Sequence, residues 1–362
     1  MAALIEDYAL VGDMHSAALI SRDGVVGWLC VPRYCRSSPT DKITGGSPGT
    51  SRMMRHLGLV MAPRPHILVV NGDKVRQPVF IIGAPFSGVD LLARALKGSP
   101  GFHVTIGQRS VLSVVYAFAR SPSIQRGHGE AAATVLRDAF AQAWQVTAHG
   151  CLGCSPACRD AGGVNGAGSC VAGRDTGRYG DATPDLIYCA EGLVCAFPDA
   201  RLVQIIRDGR DVVAAMLADA DSLAWFKPGV VNVDSEFPNP FFGIETEADL
   251  AAWPGLSLAG KCAMRWRGSV RTMARLRTSL PAERLTTLRY EEVLRQPAAA
   301  ARAVSGFIEG EVAAIGVRAR GRGVAGSLAT PSGGWRRALT PQQATDVEQV
   351  AGIDLRRVGY GA

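Results

Sequence analysis

The sequence predicts an α/β fold: a P-loop-like parallel β-sheet flanked by helices, with a short N-terminal β-hairpin extension. Three observations carry that prediction. Strand-like apolar runs alternate with helical patterns through the middle of the chain, an order that parallel pairing with right-handed crossovers satisfies. The run "VFIIGAPFSGVDLLARAL", Val79 to Leu96, breaks at Gly83 and resumes after Gly88 as a helix, leaving a glycine pair between strand and helix. Near the start, Asp23-Gly24 supplies a hairpin signal inside an apolar stretch.

In chain order, "YALVGD" and "AALISRDGVVGWLCVP" read as two short strands around a turn. Residues from about Cys35 to Pro65 are rich in Ser, Gly, Pro and Thr and read as a linker. The organisation expected is therefore an N-terminal fragment over 1–36, a linker over 37–75 and an α/β domain over 76–362. "HILVV" and "PVFIIGAP" are strand-like, and Gly88 to Lys97 is helical, with Leu91, Leu92, Ala95 and Leu96 on one face. Helical patterns flank His128, a Gly/Cys loop runs from Gly150 to Gly173, and a helix is expected from Asp185 to Ala196. "ARLVQIIRD" is a buried strand, Gly209 to Ala218 a helix, and "ERLTTLRYE" a strand followed by a helix after Pro297. A last helix opens at "LTPQQ", with Thr340 as N-cap, Pro341 at the first position and Gln343 completing a capping box.

With 362 residues, 47% of them hydrophobic, the chain can bury a real core. The net charge of +7 is spread along the chain, which favours anionic ligands. No basic stripe interleaves with aromatics, so nucleic acid is not an expected partner. The apolar runs are too short for a membrane span, and "MAALIEDYAL" carries acids where a signal peptide carries bases, so a cytoplasmic location is expected. Nine unevenly spread cysteines do not make a disulfide scaffold at this size; reduced thiols or a metal are the expected alternatives.

Between Gly83 and Gly88, backbone N–H groups and a helix N-terminus form a concave anion site. A nucleotide triphosphatase needs Lys and Ser/Thr after the second glycine, where this chain has Val89 and Asp90, so a metal-bound triphosphate is not expected. The run instead resembles the phosphosulfate loop of the sulfotransferase superfamily. Three further segments follow in that family's order: "GDATPDLIYCAEGLVCAFPDARLVQIIRDGRDVVAAM", "LTTLRYEEVLRQP" and "GGWRRALTPQQATDVEQVAGIDLRRVGY". Together they span about Arg76 to Tyr360.

The resemblance implies a sulfotransferase using 3′-phosphoadenosine 5′-phosphosulfate (PAPS) as co-substrate and a small-molecule acceptor with a hydroxyl or amine. It implies that the turn Gly83, Ala84, Pro85, Phe86 holds the phosphosulfate, with backbone donors from Ser87, Gly88, Val89 and Asp90. Arg207 would pair with the 3′-phosphate, Ala215 would lie beside it, Tyr290 would lie by the adenine, and Arg336 would close over the nucleotide. Core packing for Tyr290 and a solvated helix start for Arg336 are the alternatives.

Several departures fall on chemistry. Phe86 stands where the family has Lys or Arg, Asp90 replaces a hydroxyl, and Ala215 replaces a Ser. Arg94, four residues after Asp90, is placed to pair with it. Gln108 lies near a position where bacterial members often carry Glu, leaving His103 as the nearest candidate general base, with His128 and His149 behind it. Lys227 or one of Arg318, Arg320 and Arg322 would be substitutes for the missing cation. A non-catalytic nucleotide-binding or interaction protein on the same fold is the rival reading.

"HGCLGCSPACRDAGGVNGAGSC" sets Cys151, Cys154, Cys158 and Cys170 in one loop. Four thiolates suit a structural zinc site, and a flexible loop with free thiols is the alternative. The opening, about residues 4–34, resembles the N-terminal strands of glucoamylase-like and trehalase glycoside hydrolases. That family's helical barrel and catalytic carboxylates have no counterpart in the sequence, so hydrolysis is not expected.

Overall fold

The computed structural model describes residues 8–12, 17–21, 26–30, 67–127, 129–147, 150–151, 154–164, 170–171, 177–316 and 330–361. At the N-terminus the expected hairpin is a three-stranded antiparallel sheet, β1 (Tyr8–Gly12), β2 (Ala17–Ser21) and β3 (Val26–Cys30). The second predicted strand is split, and its Asp23-Gly24 turn lies outside the described residues. Next, β4 (Val69–Val70), within the strand-like "HILVV", and β5 (Asp73–Lys74) form a tight hairpin inside the expected 37–75 linker. Its Val70 and Val75 are buried, and the Tyr179 hydroxyl donates to the Val70 carbonyl at 2.9 Å, so ordered packing begins before residue 76.

The main sheet has five parallel strands in the order β12, β11, β6, β10, β7. They are β6 (Val79–Ile82), β7 (Phe102–Thr105), β10 (Arg178–Asp181), β11 (Arg201–Ile206) and β12 (Leu285–Arg289); β8 (Val146–Thr147) and β9 (Gly150–Cys151) make a separate ribbon. Alternation along β6 explains its near-continuous apolar sequence: Phe80 and Ile82 enter one core, Val79 and Ile81 the other. In the first core Phe80 meets Phe140 and Phe197 at centroid distances of 5.1 and 5.3 Å, and each such pair adds roughly 0.5–1.5 kcal/mol beyond burial.

The helices are α1 (Val89–Lys97), α2 (Arg109–Arg120), α3 (Ser123–Gly127), α4 (Gly129–Ala143) and α5 (Pro156–Ala161), then α6 (Ala190–Ala196), α7 (Gly209–Leu217) and α8 (Ala220–Ala224). They continue as α9 (Glu247–Ala252), α10 (Leu258–Ser279), α11 (Tyr290–Arg295), α12 (Pro297–Ile308), α13 (Trp335–Ala338) and α14 (Pro341–Arg357). The capping box at Thr340 and Gln343 is present, with Pro341 in the first turn. Among the described residues no helix is long and apolar enough to cross a membrane.

Two turns of this scaffold set up a site. From β6 the chain crosses beyond β10 to β7, and after β10 it crosses back over β6 to β11, a reversal that opens a crevice at the strands' carboxyl ends. A Cβ on Gly83 would stand 2.6 Å from the Ile205 carbonyl oxygen, so only glycine lets the end of β6 run against β11.

Candidate functional site

A cavity of about 370 Å³ occupies that crevice. Of the predicted residues, Gly83, Ala84, Pro85, Phe86, Gly88, Val89, Asp90, Arg207, Ala215 and Tyr290 all line it. They come from the β6–α1 turn, the end of β11, the face of α7 and the start of α11, and the sheet order brings them together.

Gly88 has φ +95°, and a Cβ there would fall 2.4 Å from the Tyr290 ring. Both the conformation and the contact require glycine. The N–H groups of Gly88 and Val89 have no protein acceptor among the described residues, and they stand at the positive end of α1. Ser87 differs from expectation: its amide is spent on the Ala84 carbonyl at 3.1 Å, closing the turn. Its hydroxyl is buried without a partner.

Arg207 is 4% exposed. It donates to the Phe86 carbonyl at 2.9 Å, and its guanidinium lies 4.4 Å over the Tyr290 ring. Its nearest carboxylate, Asp211, is 4.0 Å away and accepts from the amides of Gly333 and Trp335 at 2.7 and 2.8 Å. Asp211 thereby ties the 333–335 turn to α7. Arg207 Nε is buried with no partner. Tyr290 donates its hydroxyl to the Thr330 carbonyl at 2.9 Å, so the segment around Thr330 closes one side of the cavity.

Burial pushes the Asp90 carboxyl above its usual range, opposed by Arg94 and by the amides of Asp90 and Leu91. Asp90 therefore shares the helix N-terminus with any anion that enters. Arg94 does not pair with it: its guanidinium bonds Asp160 of α5 at 2.7 Å, a partner that only the fold brings near. Phe86 has φ +61° and is 41% exposed; it borders the cavity without filling it.

His103 is not brought to the cavity. It sits on β7, fully buried beside Tyr179, with Nε2 3.9 Å from the Cys151 sulfur; strand alternation and burial keep it in the interior. Gln108 is also buried, donating to the Ala143 carbonyl at 2.9 Å. Arg336 is not a lining residue: its guanidinium stacks 4.6 Å over the Trp335 ring, which Arg210 covers at 4.5 Å. Lys227 does not line the cavity either. His128, His149, Arg318, Arg320 and Arg322 lie outside the described residues.

Sequence reasoning missed Thr183, Asp185 and Thr330 as lining residues. Thr183 Oγ1 is buried and unpartnered. Asp185 is held by the buried Arg265 at 2.6 Å. The signal for Thr183 and Asp185 was "DATPD" at a strand end, which is legible only once Arg178–Asp181 is known to be a strand. Asp181, at that strand end, accepts from the Thr105 hydroxyl at 2.5 Å and the Thr183 amide at 2.7 Å, and burial pushes its carboxyl up to about 6.

The four loop cysteines converge beside β7: Cys170 Sγ is 3.3 Å from Cys151 Sγ and 3.5 Å from Cys158 Sγ.

The family model described as the sulfotransferase family matches residues 78–235, the segment from β6 past α8 that carries the turn, Arg207 and Ala215. Among solved structures, the sulfotransferase domain of the Synechococcus olefin synthase is 14% identical, covering 78% of this chain and 94% of its own, with a TM-score of 0.43. The sulfotransferase domain of the curacin biosynthetic pathway is 12% identical, covering 77% and 98%, with a TM-score of 0.41. A mouse sulfotransferase complexed with PAP is 11% identical, covering 77% and 85%, with a TM-score of 0.36. No curated protein matches the chain. The family match does not reach β1–β3, whose glycoside hydrolase resemblance it leaves unsupported.

Proposed function

We propose that this chain transfers sulfonate from PAPS to a hydroxyl or amine of a small-molecule acceptor. One observation carries the reading. Ser87 Oγ, Thr183 Oγ1 and Arg207 Nε, at the ends of β6, β10 and β11, are buried without protein partners in and beside one cavity. An unsatisfied buried polar group costs about 1–3 kcal/mol, so several at one place favour a ligand that accepts hydrogen bonds. Arg207 and the α1 N-terminus make that ligand an anion.

When bound, PAPS supplies the sulfonate: the new bond from acceptor oxygen or nitrogen to sulfur forms as the sulfur–oxygen bond to the nucleotide breaks, releasing 3′-phosphoadenosine 5′-phosphate (PAP). In this reading the amides of Gly88 and Val89 hold the 5′ anion, Arg207 grips the 3′-phosphate and Tyr290 flanks the adenine. Asp185, the lining carboxylate outside the turn, replaces His103 as the proton acceptor on the acceptor side.

Phe86 favours a second reading, binding without transfer. Arg207 is the one cationic side chain among the described lining residues, and a hydrophobe beside the turn leaves charge on the departing oxygen without a second cation. Isothermal titration with PAP, followed by labelled-PAPS turnover against an acceptor panel, separates them. Transfer of label supports the enzyme, PAP binding with intact PAPS supports the binder, and no PAP binding at millimolar concentration removes both.

A further inference from the structure

We propose that Cys151, Cys154, Cys158 and Cys170 bind one zinc ion as a tetrathiolate, with Lys97 as the buried donor that offsets its charge. Sulfur geometry is the first observation. The sulfurs of Cys154, Cys158 and Cys170 all lie within 4.8 Å of one another, and Cys151 Sγ stands just outside that trio, 3.3 Å from Cys170 Sγ. A tetrahedral ion with zinc–sulfur bonds near 2.3 Å sets sulfur–sulfur edges of about 3.8 Å. Among Cys154, Cys158 and Cys170, side-chain shifts of about 1 Å or less reach that figure, and Cys151 completes the set by turning its sulfur from Cys170 toward the other two. Such spacing suits a single ion, and an all-thiolate set selects soft zinc over magnesium or calcium.

Lys97 is the second, independent observation. At the end of α1 it is 9% exposed, and its Nζ lies 3.2 Å from both Cys158 Sγ and Cys170 Sγ and 2.7 Å from the Val104 carbonyl. Among the described residues no carboxylate pairs with it, and its side-chain partners are the two sulfurs. A buried ammonium is costly without an anion, and four thiolates are costlier still without a dication. Zinc with four thiolates carries a net charge of minus two, and the ammonium halves it. Gly162 permits the arrangement: a Cβ there would stand 2.8 Å from the Cys170 carbonyl and 3.2 Å from Lys97 Cε. His103 Nε2, 3.9 Å from Cys151 Sγ, lies within reach of a ligand sulfur and so gains a supporting place in the interior.

The ion would brace the cavity wall. Ala157, between Cys154 and Cys158, lines the cavity, the Ser155 hydroxyl donates to the Ile106 carbonyl, and Arg94–Asp160 ties α5 to α1.

The test uses the full chain purified without chelator. Elemental analysis should find about one zinc per chain, and cobalt exchange should give thiolate-to-cobalt charge-transfer bands with the visible spectrum of a tetrahedral site. Cys158→Ser with Cys170→Ser should abolish stoichiometric zinc. Lys97→Met should keep zinc but lose it to a chelator at least about tenfold faster. Because the cysteine variant can fail to fold, wild-type metal content and the cobalt spectrum decide. Zinc near zero after growth in zinc-supplemented medium, with four thiols titrating freely, overturns the proposal; so do disulfides among the four, or iron with acid-labile sulfide. None of these readouts depends on nucleotide binding, so sulfonate transfer and the metal site stand or fall separately.

Discussion

Replacing Arg207 with Met keeps the apolar stem and removes the guanidinium. If that group grips a phosphate, the loss is one charge-assisted fork, roughly 1.5–3 kcal/mol. At about 1.4 kcal/mol per decade, PAP affinity should fall roughly 10- to 150-fold. Stability should change far less. Arg207 makes one short bond, to the Phe86 carbonyl at 2.9 Å, and its nearest carboxylate, at 4.0 Å, is engaged by two amides. Removing a buried charge without a tight partner recovers desolvation that offsets the lost contact and the stacking on Tyr290. The melting temperature should therefore stay within about 3 °C. Titration calorimetry with PAP on wild type, Arg207→Met and Arg207→Lys measures the first effect and thermal denaturation the second; the Lys variant keeps charge without the fork and should be intermediate. A dissociation constant for Arg207→Met within twofold of wild type, at an unchanged melting temperature, would refute the assignment of Arg207 to the ligand.

Three other perturbations follow from the same geometry. Asp90→Asn removes a carboxylate that shares the α1 N-terminus with the ligand, so PAP should bind about tenfold tighter near neutral pH. Because burial raises the Asp90 pKa, wild-type affinity should improve as pH falls more steeply than that of Asp90→Asn; parallel pH profiles in calorimetry would contradict this. Phe86→Lys restores a cation beside the turn and should raise PAPS turnover at least about tenfold, read as label transfer per enzyme; unchanged turnover with intact PAP binding would mean that the turn is not where the leaving oxygen sits. The Asp181 carboxyl is raised in the fold to about 6 from 3.8, so stability is highest below the lower value and declines as pH rises through the upper one. The decline amounts to about 3 kcal/mol at most, from 1.36 kcal/mol per pKa unit. Asp181→Asn should flatten it in urea denaturation at pH 4 to 7, and an unchanged slope would place the titration elsewhere.

The elements read correctly from the sequence are those whose signal is local. The break at Gly83, the apolar face of α1, the buried run of β11 and the Thr340–Gln343 cap are properties of consecutive residues, and each appears where it was expected. Those that were missed carry polar residues buried by distant partners. α10 contains Arg265 and Arg267, which break any hydrophobic pattern, yet both are buried because Asp185 and Asp249 meet them at 2.6 Å. β10 reads as "RYGD" and is a strand only because β6 and β7 pair with both its edges.

The sequence by itself determined the α/β alternation, the glycine turn and the positions of Arg207, Ala215 and Tyr290 within their segments, because backbone preference and side-chain periodicity act over a few residues. Tertiary structure alone decided which of them meet. Parallel strands pair across long separations, so the order β11, β6, β10 joins the turn to Arg207 and Thr183, withdraws His103 into the interior and gives Arg94 to Asp160 instead of Asp90. That choice depends on hydrogen bonds and burial between segments more than a hundred residues apart in places, and no local pattern encodes it.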